Sequence, residues 1–150
     1  MTPKFSNAPD EVSARMRLIK ARNTRPELEL FSILEGGNVQ FERHVLVNGV
    51  RVDALVDDRI AVFVDSPFWH LRDLALLGRL SEYWCSRLLT NRRRDKSQTR
   101  QLRARGYSVI RFWTDELGER RVLQRLRVAR AKRSNMFAVG RSSPRTKSAD

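Results

Sequence analysis

The period of the apolar positions changes several times along the chain, and each change marks a new element. Residues 1 to about 10 are polar and carry two of the five prolines, which predicts a flexible lead-in. From Glu11 to Arg22, Val12, Met16 and Ile19 recur at helical spacing and predict a short basic helix. A second helix is announced by Thr24 as candidate N-cap, with Glu27 three residues on and Pro26 in the first turn, where its missing N–H costs nothing. Leu28, Phe31, Ile33 and Leu34 supply its apolar stripe, and Gly36-Gly37 ends it.

The pattern then becomes that of strands. Val39 and Phe41, Val45-Leu46-Val47, and Val50, Val52, Ala54 and Val56 are β-branched or alternating, with Asn48-Gly49 as a hairpin turn between them. After a second turn at Asp57-Asp58-Arg59, the apolar run Ile60–Val64 predicts a central strand covered on both faces. Asp65 to about Arg79 reads as a loop holding Pro67 and Phe68-Trp69-His70. A long helix follows from Leu80 to Arg105, closed by Gly106, then a strand from Tyr107 to Trp113 and an Arg-rich helix from Asp115 to about Arg133. Residues 134–150 have the composition of a disordered basic tail. The order predicts one α/β domain over residues 11–133, a sandwich around a small mixed sheet.

Charge narrows the partner. Thirty Lys and Arg against 17 Asp and Glu give a net charge of +13, which points to a polyanion. No apolar run approaches the length of a membrane span, and the N-terminus has no apolar core of a secretory signal. A single cysteine, Cys85, with only His44 and His70 beside it, makes a structural zinc an unexpected feature. A cytoplasmic, nucleoid-associated protein is expected.

Several side chains carry candidate chemistry. With a two-residue turn, Asp57 would pair with Ile60 and Asp53 would lie opposite Val64, next to Asp65. That would gather carboxylates and a backbone carbonyl into an oxygen cluster suited to Mg²⁺; solvated acids flanking a turn are the alternative. On the long helix Trp84, Leu88, Asn91, Asp95, Thr99 and Leu102 share one face. An inward Asp95 needs a partner, either a neighbouring arginine or His70, whose tautomer and basicity a carboxylate would fix. Phe68 and Trp69 either fold back into the core or serve as wedges that enter a base stack.

Together these residues resemble the very short patch repair endonuclease family. The likeness runs through Arg15-Met16-Arg17, Asn23 to Leu28, Arg51-Val52-Asp53, Ala61 to His70, Asn91 to Leu102 and Gly106 to Leu117, over about residues 12 to 117. It implies a restriction-endonuclease-like three-layer sandwich and a Mg²⁺-dependent endonuclease that nicks duplex DNA beside a T:G mismatch. It further implies that Asp53 and the Val64 carbonyl bind Mg²⁺, that His70, supported by Asp95, activates the attacking water, and that Glu27 helps hold the metal and its waters. Asp65 joins the catalytic set, and Met16, Phe68 and Trp69 are implied to insert beside the mismatch. Arg22, Arg25, Arg92 and Arg93 are candidate phosphate contacts. The chain departs from the family at Ser66-Pro67, where Gly-Cys or Gly-Asp is usual, and at Val52, where the superfamily usually has proline. It also lacks the zinc ligands of some members. Other repair or restriction–modification proteins are candidate partners, and no membrane is expected. A restriction or phage-defence nuclease without mismatch specificity and a catalytically silent DNA-binding module are the alternatives.

Overall fold

Thr24 and Pro26 do open a helix. In the computed structural model, which describes residues 24–141, α1 spans Arg25–Gly36 with Thr24 extended before it and Pro26 in its first turn. The Thr24 side chain makes no capping bond. The lead-in, the helix expected at residues 11–22 with Met16 and Arg22, and the residues after 141 lie outside the described residues.

Strands β1 (Phe41–Val47) and β2 (Val50–Val56) form an antiparallel hairpin. Asn48 and Gly49 both have positive φ, 51° and 78°, the conformation that a tight hairpin turn demands and Asn-Gly supplies. Strand β3 (Ile60–Asp65) adds antiparallel to β2, and α2 (Glu82–Ala104) carries the chain over to β4 (Ser108–Trp113), parallel to β3. The sheet order is β1-β2-β3-β4, and α3 (Glu119–Arg141) closes the fold.

Two expectations need correction. Val56, not Asp57, pairs with Ile60, so the turn at Asp57–Arg59 has three residues and the register of Asp53 moves by one from Val64. Asp57 and Asp58 both take positive φ there, which aspartate tolerates better than most side chains. The last helix also differs: Thr114–Glu116 forms a short 3₁₀ turn, α3 starts at Glu119, and helix continues through Ser134 to Arg141.

The sheet separates two cores, giving three layers. On one face Leu30, Phe31 and Leu34 of α1 and Val122 and Leu126 of α3 pack on Ala54, Val56, Ile60, Val62, Ile110 and Phe112. On the other, Leu102 of α2 covers Val47, Val50, Val52, Leu55, Ala61 and Phe63. The β1–β2 ribbon changes face along its length. Phe41, Ala54 and Val56 belong to the first core, while Val45, Val47, Val50 and Val52 belong to the second. Pairing passes from Arg43–Ala54 to Val45–Val52, and between these pairs stand His44 and Asp53. His44 takes φ 51° inside the strand, an uncommon conformation for a residue with a Cβ.

Candidate active site

The crossing of the ribbon from one face to the other delivers two side chains to α1. His44, Asp53 and Glu27 offer ligand atoms that all lie within 4.8 Å of one another. His44 Nε2 stands 3.5 Å from Glu27 Oε2, both side chains mostly buried, and the edge of the imidazole meets the Phe31 ring at 5.6 Å between centroids. Asp53 Oδ2 accepts a hydrogen bond from the Val64 amide at 2.9 Å, so the two residues meet through the N–H of Val64. Burial pushes the Asp53 carboxyl up to about 6; the Val64 bond opposes this, while Glu27 and Asp65 add to it. Two carboxylates and an imidazole brought this close, with one carboxylate costly to ionise alone, form a donor set that fits a divalent cation.

A second cluster lies just beyond the next residue of β3. Asp65 ends the strand almost fully buried, 5% exposed, and is held by Arg111 of β4, whose Nη1 donates to both of its oxygens at 3.1 Å. Arg111 is fixed in turn by Thr99 Oγ1 at 2.9 Å, by the Asp95 carbonyl at 3.2 Å, and by the face of Phe63 at 4.1 Å. His70 Nδ1 is hydrogen-bonded to Asp95 Oδ2 of α2 and stands 3.7 Å from Asp65 Oδ1. The partner of the inward Asp95 carboxylate is therefore His70 rather than an arginine. Burial works against a charge on the imidazole, but the Asp95 bond and both carboxylates outweigh it and raise the His70 pKa above its usual value. Asp65 is shifted upward by burial, against the pull of His70 and Arg111. Among the described residues nothing hydrogen-bonds His70 Nε2.

These groups open on a cleft of about 860 Å³ lined by Asp65, His70, Asp95 and Arg111 and rimmed by Arg92, Lys96, Arg100 and Arg103 of α2. Arg92 also donates to the Leu71 carbonyl at 2.7 Å, Arg93 is exposed outside the lining, and Arg25 is exposed at the start of α1. Phe68 and Trp69 are half-buried: their rings meet edge to face at 5.0 Å, and Trp69 leans on Trp84 of α2 at 5.9 Å. Asn91 donates to the Trp69 carbonyl at 3.3 Å. The aromatic pair thus neither joins the two cores nor stands free.

Sequence reasoning missed His44, Arg111, Lys96, Arg100 and Arg103. The α2 cations had a signal, since Lys96, Arg100 and Arg103 follow Asp95 at steps of one, five and eight along a helix already recognised. For His44 the signal was hidden, because a left-handed residue within a strand breaks the alternation that tells which way a side chain faces.

The chain is similar to known proteins along much of its length. Residues 6–76 match the sequence profile of the family described as DNA mismatch endonuclease Vsr. The type II nicking enzyme V.XorIIP of Xanthomonas oryzae pv. oryzae is 30% identical over 124 residues, covering 79% of this chain and 89% of that protein. V.NmeDIP, a type II nicking enzyme of Neisseria meningitidis serogroup C, is 28% identical over 73% of this chain and 77% of its own. The DNA mismatch endonuclease Vsr of Escherichia coli K12 is 30% identical over 67% of each chain. Among solved structures, the catalytic domain of homing endonuclease I-Bth0305I aligns over 79% of this chain and 97% of its own, with 19% identity and a TM-score of 0.43. With one relative matched at 30% identity across nearly nine-tenths of its length, the chain belongs to the Vsr family of very short patch repair endonucleases and is a DNA endonuclease.

Proposed function

We propose that this endonuclease nicks one strand of duplex DNA next to a T:G mismatch, in the presence of Mg²⁺, leaving 5′-phosphate and 3′-hydroxyl ends. The observation that carries the chemistry is His70, gripped at Nδ1 by Asp95 and open at Nε2, beside the Glu27–His44–Asp53 cluster. Asp53, with the Val64 carbonyl and with Glu27 nearby, would hold the Mg²⁺, which supplies Lewis-acid polarisation of the phosphate and stabilises the departing oxygen.

The chain's own residues account for the rest. His70 accepts a proton from water at Nε2, the water oxygen bonds to phosphorus, and the bond from phosphorus to the 3′ oxygen breaks, that oxygen taking a proton from solvent water to become the 3′-hydroxyl. Asp95 keeps the His70 proton on Nδ1 and aims the ring, while Arg111 holds Asp65 and the Asp95 carbonyl in place. Arg25, Arg92 and Arg93, with Arg22 outside the described residues, contact phosphates. Phe68 and Trp69, together with Met16, enter beside the mismatch, where a wobble pair is cheaper to unstack than a Watson–Crick pair. The cut takes place on cytoplasmic, nucleoid DNA, with other repair or restriction–modification proteins as candidate partners. No helix among the described residues is long and apolar enough to cross a membrane.

The test is strand cleavage of two labelled duplexes that differ only in one T:G pair replacing C:G, in several flanking contexts, with Mg²⁺ and with EDTA. Nicking is expected at the mismatch alone and only with Mg²⁺, and His70→Ala should abolish it while duplex binding persists. Equal cutting of both duplexes would move the protein to a restriction-type activity. Tight, salt-sensitive binding without any cut would mark a silent DNA-binding module.

A further inference from the structure

We infer that His44 is a nitrogen ligand of the catalytic divalent cation and that it makes the site rank first-row transition cations above Mg²⁺. The inference rests on the metal reading of Asp53 given above and adds a ligand that this reading does not contain. Its basis is convergence from three elements. Glu27 comes from the first turn of α1, His44 from the crossover point of β1, and Asp53 from the facing position of β2, with donor atoms within 4.8 Å of one another. His44 is not a rim residue that swings past: its side chain is only 10% exposed, and its ring is braced edge-on by Phe31.

The chemistry of the donors then sets the preference. Mg²⁺ demands oxygen and retains most of its water, so carboxylates and a carbonyl would serve it without any imidazole. An imidazole nitrogen gains little with Mg²⁺ and more with the divalent ions of the first transition row, whose affinities for such donors rise from Mn²⁺ onward. Ligation through Nε2 leaves the neutral ring its proton on Nδ1. The Arg51 Nη2 group, now 3.5 Å from Nδ1, would have to turn away, which its solvent-exposed position allows.

Mn²⁺ is the probe, because its electron spin reports nitrogen ligands directly. Electron spin-echo envelope modulation on the Mn²⁺-loaded full chain should show ¹⁴N coupling, and His44→Asn should remove it. Asparagine is chosen because it accepts the left-handed φ of 51° that most side chains resist, so the backbone is retained. In the same variant the Mn²⁺ dissociation constant should rise by roughly tenfold or more, by the scale of changes seen when a metal site is perturbed. The Mg²⁺ constant should change less. Asp53→Asn should weaken both ions.

Mn²⁺ bound in an Asp53-dependent manner with no ¹⁴N coupling in the unaltered chain would overturn the role of His44 and leave the metal reading standing. Coupling that persists in His44→Asn would assign the nitrogen to another residue and overturn it as well. Binding of neither ion, or binding indifferent to Asp53→Asn, would overturn both. Absence of ¹⁴N coupling in the unaltered chain overturns the role of His44 even if a variant fails to fold.

Discussion

Asp53 is held in a position that costs free energy whenever it is charged and alone. Its carboxyl is pushed up to about 6 by burial, against an ordinary 3.8. A folded-state pKa above the unfolded one means that the protonated form supports the fold. That support is complete below about pH 3.8 and is lost as pH climbs through 6. The loss is on the order of 2–3 kcal/mol for a group that remains partly accessible. Asp53→Asn, neutral at every pH, should therefore stabilise the metal-free protein at pH 7 and leave it nearly unchanged at pH 4, measured by urea unfolding in EDTA. An equal effect at both pH values would rule out burial of the charge as the cause. The inward Asp95 was legible at this scale, because helical spacing alone aims it inward and a buried carboxylate must find a partner. Spacing left an arginine and His70 equally open as that partner. His44 was not legible, since its role depends on a backbone conformation that its neighbours Arg43 and Val45 do not announce.

At the scale of elements, α2 has the most demanding task. It is rich in charge along its whole length, yet it must hold Asp95 against His70 within hydrogen-bond reach. Only Leu88 and Leu102 among its residues are fully buried, and Leu102 alone joins the core on that face of the sheet. Leu102→Ala should cost about 2–5 kcal/mol in urea unfolding, the range for leucine cavities. It should also slow nicking at temperatures where the fold is intact, because the helix loses its anchor near the site. A loss of stability under 1 kcal/mol would show that the charged face, through contacts such as Arg92 to Leu71, carries the helix instead. Within residues 24–141 the order of the main helices and strands could be read from period changes alone, and Asn48-Gly49 fixed its turn through two positive φ values. Asp57-Asp58-Arg59 contains no comparable marker of loop length, so the sliding of Asp53 by one position was invisible until pairing was seen. The end of α3 was hidden for a related reason: Ser134, Asn135 and Gly140 have weak helix propensity, and the helix persists through them.

The whole molecule is strongly basic, and among its described acids Glu27, Asp53, Asp65 and Asp95 are drawn in at the site while most others are exposed. The net charge of +13 was plain in the sequence, but not which cations border the cleft. Lys96, Arg100 and Arg103 occupy that rim, exposed and without an acidic partner among the described ion pairs. Duplex binding should weaken with salt along a linear log–log plot, and Lys96→Gln with Arg100→Gln should flatten the slope by about 0.9 for each phosphate contact removed. An unchanged slope would place the DNA backbone on another face.

The aromatic contacts around the cleft have an optical consequence. The chain has three tryptophans. Trp69 adjoins His70, Trp84 touches Trp69, and Trp113 lines the cleft itself beneath the Arg72 guanidinium. All of the indole emission therefore originates within one neighbourhood, with none diluted by distant parts of the fold. Intrinsic fluorescence of the unlabelled protein is a local reporter of the cleft, so separation of Trp69 from its edge contact with Trp84 and arrival of a duplex can be followed in real time without a dye.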